Sequence, residues 1–304
     1  METLEEKLKR VKLVFNIDEV ISRRTNLDDI KNYYRVNIIP YFLFHNKRDF
    51  VHNGISRGKR YSDKDVYEQP KIVEKYIREM GAKRCLELAT GKGASSFYLA
   101  EIFPNVKFFA INLADGQLEI AKKKARRVDN FFPEEGDYHD LGNYHDNDFD
   151  IVFVFEALCH SNDKGKVAKQ VYRLLKQGGL FIVIDGYLNK PLGELSETEL
   201  LAKKLSERGI VVEKFELYDD VKKDIVTKGF QVIYEKNASL LVLPSLYRFE
   251  KLSHEVLFRI PLFGKMIVKL LPRDFVNNAL SGYLMPTLIQ TKVACYCITV
   301  FEKV

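Results

Sequence analysis

A short apolar strand that runs into a small-residue turn and then a helix constrains this chain more than any other feature. Cys85-Leu86-Glu87-Leu88 reads as the strand, Ala89-Thr90-Gly91-Lys92-Gly93 as the turn, and Ala94-Ser95-Ser96 as the start of the helix. Residues without bulky side chains leave a path by which backbone N–H groups and a helix N-terminus approach a polar ligand. Glu87 closes the strand, where a carboxylate repels a phosphate and accepts hydrogen bonds from an amine or a hydroxyl.

From residue 83 onward, strands and helices alternate. Cys85–Leu88, Val106–Ile111, Phe149–Phe155 and Leu180–Ile184 read as strands, and 94–102, 116–127 and 163–176 as helices. That alternation predicts an α/β fold with a doubly wound, mostly parallel sheet and helices on both faces. Ligands of such sheets gather at the carboxyl ends of the strands. Glu87, Asn112, Glu156 and Asp185 all fall at or near those ends. Residues 229–234 and 293–301 read as two further strands, separated by nearly sixty residues rich in Leu, Phe, Pro and basic side chains. An insertion of that length inside a compact domain is usually functional. The expected organisation is a helical cap over 1–80, a core of 81–236 with 293–304, and a lipophilic lid inserted at 237–292.

The chain has 304 residues, 46% of them hydrophobic and 30% charged, which suits a globular domain with one elaboration. Its net charge of +6 is dispersed, and the densest basic run, 122–127, reads as the solvated face of a helix, so a nucleic-acid partner is not expected. Cys85, Cys159, Cys295 and Cys297 form no CxxC pair. Buried free thiols in a reducing compartment are expected, with Cys295 and Cys297 on one face of a strand. The N-terminal segment lacks the apolar core of a signal peptide, and no uncharged apolar run reaches membrane-spanning length. A cytoplasmic location follows, with membrane-surface contact left open. His139 and His145 lie among several Asp residues but do not build a closed ligand set, and they read as a solvated loop with no metal.

Residues 83–236, completed by the strand at 293–301, resemble the class I S-adenosylmethionine-dependent methyltransferases. The likeness rests on Glu87-Leu-Ala-Thr-Gly-Lys-Gly93, an acid followed by small and glycine residues, with Ala89 at the family's first glycine position. It implies a seven-stranded Rossmann-like sheet whose last two strands form an antiparallel pair. It also implies a bound S-adenosylmethionine, leaving as S-adenosylhomocysteine, with Glu87 near its amino-acid portion and Gly91–Gly93 beneath it. Asn112 stands where the family supplies an acid to the ribose, followed by Leu113 and Gln117. Asp137-Tyr138 matches the adenine region.

A narrower resemblance is to the sterol, tocopherol and cyclopropane-fatty-acid C-methyltransferase group. It rests on Phe155-Glu-Ala-Leu-Cys-His-Ser161, Tyr33-Tyr34 and His52-Asn53-Gly54. On this reading Glu156 stabilises a cation or removes a proton, and His160 serves as base or orients the acceptor. Tyr33 and Tyr34 close over the methionine moiety, while His52, Asp185 and Tyr187 contact substrate. Structural roles compete with each of these: loop organisation for Glu156, helix capping for His160, loop capping for Asp185, and packing for the tyrosines and His52. Segment 255–271 mixes large apolar residues with Arg259, Lys265 and Lys269, so it either lids a pocket or rests on an anionic bilayer.

The expected function is methyl transfer to a small hydrophobic acceptor (isoprenoid, sterol-like or lipid), at carbon. The alternatives are an O- or N-methyltransferase of a small metabolite, a nicotinamide-dependent oxidoreductase suggested by Gly91-x-Gly93-x-x-Ser96, and a non-catalytic regulator that binds cofactor or lipid. The sequence leaves the oligomeric state undetermined.

Overall fold

The computed structural model describes residues 2–23, 25–40, 45–113 and 116–304. Residues 41–44 of the aromatic-rich stretch before Gly54, and Ala114-Asp115, lie outside the described residues.

Seven strands form one sheet in the order β3-β2-β1-β4-β5-β7-β6. They are β1 Arg84–Leu88, β2 Lys107–Asn112, β3 Phe131–Glu135, β4 Phe149–Phe155, β5 Leu175–Leu188, β6 Phe230–Asn237 and β7 Ala294–Lys303. Neighbours among β1 to β5 pair in parallel, whereas β7 runs antiparallel to both β5 and β6. The central strands are apolar without interruption because both faces are covered. Ile151, Phe153 and Ile182 enter one core cluster, while Val152, Val154, Phe181 and Val183 enter the other.

The sequence shows no strand between 112 and 149, yet β3 is there. Its Phe-Phe-Pro-Glu-Glu lies on the sheet edge with only Phe131 buried, so it carries no alternation, and an edge tolerates Pro133. β5 is also longer than the Leu180–Ile184 core that the sequence marks.

Helices α4 Glu68–Met80, α5 Ala94–Ile102, α6 Gly116–Ala125, α7 Lys164–Leu174, α8 Glu197–Gly209 and α9 Tyr218–Val226 flank or adjoin the sheet. The N-terminal α1 Leu4–Val14, α2 Ile17–Ile21 and α3 Leu27–Pro40 join the inserted α10 Ser239–Ser253, α11 Pro261–Leu270 and α12 Arg273–Gln290. These two sequence-distant groups pack together as one helical roof. Buried Lys7 of α1 pairs with Glu250 of α10 at 2.5 Å and donates to the Tyr283 carbonyl of α12 at 2.8 Å. Ser56 N–H donates to the Leu241 carbonyl at 2.8 Å.

The turn after β1 carries positive φ at Ala89 (55°), Gly91 (57°) and Gly93 (72°). A Cβ on Gly93 would sit 2.8 Å from Ala121 Cβ and 2.9 Å from Phe131 Cζ, so this turn presses directly on α6 and β3. Gly93→Ala should therefore cost roughly 1–3 kcal/mol through overpacking and backbone strain. Ala89→Gly should gain about 0.5 kcal/mol, the relief of left-handed strain exceeding the added entropy of the unfolded chain. Urea denaturation of the two variants beside the parent checks both signs.

Candidate active site

One cavity of about 490 Å³ opens at the carboxyl ends of the parallel strands. It sits where the strand order reverses between β1 and β4, the usual binding crevice of such sheets. All of the expected contact residues except Gly93 line it: Tyr33 and Tyr34 from α3; His52 from the following loop; Glu87, Ala89 and Gly91 after β1; Asn112, Leu113 and Gln117 after β2; Asp137 and Tyr138 after β3; Glu156 and His160 after β4; and Asp185 and Tyr187 on β5. Gly93 instead packs behind the turn, against α6.

Glu87 is 4% exposed, and one of its oxygens accepts from Thr90 Oγ1 at 2.5 Å, Ser96 Oγ at 2.5 Å and Ser96 N–H at 3.3 Å. Burial nevertheless raises its carboxyl to about 7, against the downward pull of those donors. The carboxylate thereby occupies the N-terminus of α5, the position where a dinucleotide pyrophosphate would seek N–H donors. Asn112 Oδ1 accepts from Gly91 N–H at 3.0 Å and fixes the turn to the end of β2. A Cβ on Gly91 would come 2.8 Å from Gln117 Oε1, so the bare glycine keeps this wall of the cavity open. Buried Lys92 approaches Asp49 at 3.6 Å and tethers the turn to the N-terminal cap.

Glu156, at φ +50° beyond β4, is the most heavily engaged carboxylate among the described residues. Its Oε1 accepts from Asn53 N–H at 2.7 Å, Gln69 Nε2 at 3.1 Å and Tyr296 Oη at 2.5 Å; its Oε2 accepts from Asn53 Nδ2 at 2.7 Å. Gln69 Nε2 also donates to Tyr296 Oη at 2.7 Å, which orients the phenol toward Glu156. Carboxylates that accept several hydrogen bonds are held in one orientation. Asn53 lies inside a motif singled out in the sequence, but Gln69 and Tyr296 carry no local signal. Gln69 precedes a helical proline, and Tyr296 alternates with two cysteines in an apolar strand.

The His160 imidazole lies between Tyr34 Oη (3.0 Å from Nε2) and the Val211 carbonyl (3.2 Å from Nδ1). Burial lowers it to about 4, so the ring is neutral near pH 7. Its ring partners are thus a phenol from α3 and a backbone carbonyl beyond α8. Asp185 accepts from Cys159 N–H at 2.9 Å and Gly186 N–H at 2.8 Å, and burial raises it to about 6. It thus organises the loop after β4 while facing the cavity. His52 stacks edge-on against Phe50 and Phe155, and burial lowers its imidazole pKa.

The solvated-loop reading of His139 is overturned. Its Nδ1 lies 2.7 Å from Asp137 Oδ1, its Nε2 lies 2.8 Å from Ser161 Oγ, and the ring lines the cavity. Ser161 is 4% exposed, lies outside the cavity wall and accepts Asp163 N–H at 3.1 Å. This Asp–His–Ser alignment therefore locks two loops together and presents no nucleophile. His145 is exposed, and no metal-holding cluster of His, Cys, Asp or Glu exists among the described residues. Cys295 and Cys297 are buried free thiols on one strand face, 3.8 Å apart.

Two further properties define the cavity. Its polar end carries Asp49, Glu87, Asp137, Glu156 and Asp185, while Lys31 is the only Lys or Arg among the described lining residues. Its other end is built by the inserted helices and α3, with Leu27, Val242, Leu246, Phe275, Val276 and Met285 among the contributors.

Residues 86–183 match the family model described as "Methyltransferase domain". Among curated relatives, sterol methyltransferase-like 3 of Botryococcus braunii is 39% identical over 69 residues, 23% of this chain and 17% of that protein. Phosphoethanolamine N-methyltransferase 1 of Arabidopsis thaliana is 26% identical over 153 residues, 50% of this chain and 30% of that protein. The matches thus span less than a third of the length of either relative. Among solved structures, the cyclopropane synthase MmaA2 of Mycobacterium tuberculosis superposes with a TM-score of 0.71 at 11% identity, over 92% of this chain and 99% of that one. That likeness establishes the fold.

The hydrogen bonding around Glu156 yields a direct test. Tyr296→Phe should cost roughly 1.5–3 kcal/mol, because a hydrogen bond to a carboxylate is lost and its oxygen is left with one donor fewer. Glu156→Gln should lower the cost of that same phenol deletion, so that the double variant loses less than the sum of the two. Urea denaturation of all four species measures the coupling.

Proposed function

We propose that this chain, whose residues 86–183 match a methyltransferase domain, is a class I enzyme that transfers the methyl group of S-adenosylmethionine to a carbon of a small hydrophobic acceptor that bears no phosphate. The single observation carrying this reading is the polarity of one continuous cavity: a carboxylate-lined floor on the strand ends beneath an apolar chamber in the helical roof. A cationic sulfonium is attracted to such a floor and a phosphate is repelled.

The residues present fit the cofactor. Gly91 leaves an open cradle, and Glu87, Asn112, Leu113, Gln117, Asp137 and Tyr138 surround it, with Tyr33 and Tyr34 above. When bound, the cofactor supplies an electrophilic methyl on positively charged sulfur. Attack by an alkene carbon would leave a cation on the acceptor. Glu156, fixed by four donor contacts, faces the space where that charge develops, as do the rings of Tyr34, Tyr138 and Phe155. His160 is neutral near pH 7 and so available to accept the departing proton or to orient Tyr34. Apolar walls exclude the water that would quench such a cation.

Transfer to nitrogen is the second reading, supported by Glu156 and Asp185, which would also hold a protonated amine. The apolar chamber favours carbon. The carboxylate already seated at the α5 N-terminus argues against the oxidoreductase alternative.

Calorimetric titration should show binding of S-adenosylmethionine and S-adenosylhomocysteine and none of NADH. Radiolabelled methyl transfer should then appear with isoprenoid, sterol or unsaturated acyl acceptors and stay at background with phosphoethanolamine. Absence of cofactor binding, or turnover confined to amines, would reject the carbon reading.

Ionised Glu87 favours a cationic ligand, so affinity for S-adenosylmethionine should rise with pH toward about 7 and level off above it. The slope is bounded at about tenfold per pH unit for one proton. Glu87→Gln should flatten this rise, leaving only the contribution of Asp185 near 6. Because Glu87 titrates higher in the folded chain than its ordinary 4.5, its contribution to ligand-free stability falls as pH rises from about 4.5 to about 7. Thermal melts of the parent and Glu87→Gln across that window check the sign.

A further inference from the structure

We propose that the outer face of α11, with the turns on either side of it, docks on an anionic bilayer, and that the acceptor enters the cavity from that bilayer. The second half rests on the hydrophobic-acceptor reading; the first half does not.

α11 is apolar on both sides. Ile267 and Val268 pack inward against the core. On the solvent side Leu262 is 81% exposed, Leu270 73%, Phe263 50% and Met266 47%, continued by Ile260 at 61% in the preceding turn. A helix that exposes several large apolar side chains on its solvent side is usually covered there by protein or by lipid. The five-residue π-helical turn His254–Phe258 places this face outward, and Gly264 seats α11 against it: a Cβ there would stand 2.0 Å from the Leu257 carbonyl oxygen.

Charge identifies the occupant. From Val256 to Arg273 there are four basic residues (Arg259, Lys265, Lys269 and Arg273) and no acidic one. Arg259 is paired with Glu255 at 2.8 Å and Arg273 lies 3.8 Å from Glu19. Lys265 and Lys269 are exposed and have no acidic partner among the described residues. Apolar side chains flanked by unpaired lysines match an interface of acyl chains beneath anionic headgroups. No helix among the described residues is long and apolar enough to cross a membrane.

The face also reaches the cavity. Val256 and Leu271, which bracket α11, line the cavity wall and are 39% and 41% exposed. A lipophilic molecule leaving the bilayer would thus meet apolar side chains from the surface to the chamber.

Vesicle flotation of the full chain tests the proposal, with phosphatidylcholine vesicles alone and mixed with phosphatidylglycerol. The chain should float with the mixed vesicles. Lys265→Glu combined with Lys269→Glu should weaken that binding about tenfold or more, from the loss of two headgroup contacts. Leu262→Asp combined with Leu270→Asp should abolish it. Thermal melts and S-adenosylhomocysteine binding matching the parent show that the variants are folded. Failure of the parent to bind mixed vesicles, or equal binding by the variants, overturns the proposal. So does a concentration-dependent dimer dissolved by Leu262→Asp without vesicle binding, which would assign the face to a second copy. Vesicle binding by a chain that takes no cofactor would sink the proposed catalysis and leave the docking face standing.

Discussion

The carboxylate of Glu156 is the point on which the N-terminal segment and the core of this chain converge. Its donors come from the N-terminal cap (Asn53), the start of α4 (Gln69) and the last strand (Tyr296), at sequence separations of 103, 87 and 140 residues. A half-buried carboxylate is well accommodated when its lone pairs are filled. The roof, the sheet and the closing strand must therefore all be in register before Glu156 is satisfied. Asn53 extends the coupling further, since Ser245 of α10 contacts Asn53 Oδ1 at 3.4 Å and accepts Gly54 N–H at 3.3 Å. A group that faces the cavity thus also fixes where the cavity's walls stand.

The parts legible in the sequence are those that local chemistry dictates. The turn from Glu87 to Gly93 announced itself because positive φ and close packing leave few residue choices, and the buried parallel strands because uninterrupted apolar runs suit a sheet covered on both faces. The polar residues at the strand ends, Glu87, Asn112, Glu156 and Asp185, all line the cavity. What stayed hidden depends on contacts between distant segments. β3 has one buried residue and draws its stability from pairing with β2. Tyr296 looks like another core aromatic until β7 brings it to Glu156. His139 looks solvated because the hydroxyl that satisfies its second nitrogen, Ser161, lies on another loop.

The same motif that suggests a dinucleotide site also refuses one. A glycine turn leading to a helix N-terminus is neutral with respect to ligand charge, and the side chain at the preceding strand's end decides it. Here Glu87 takes Ser96 N–H and both neighbouring hydroxyls, so a carboxylate already stands where a pyrophosphate would sit. With four more carboxylates around the floor and Lys31 as the only Lys or Arg among the described lining residues, the cavity discriminates by charge before it discriminates by shape.

Charge at the floor and apolarity at the roof solve different parts of one chemical problem. A cationic ligand needs counter-charge, yet counter-charge in water is screened and weak, and only exclusion of solvent gives the floor its strength. The roof supplies that exclusion, but an apolar chamber sealed from water is also sealed from a substrate that water carries poorly. Opening the chamber toward a bilayer resolves the conflict, because the acceptor then passes from one apolar phase to another without crossing the solvent. On this view the exposed side chains of α11 and the half-buried carboxylate of Glu156 would serve one reaction: the first admit an acceptor that water carries poorly, and the second faces the charge that forms on it.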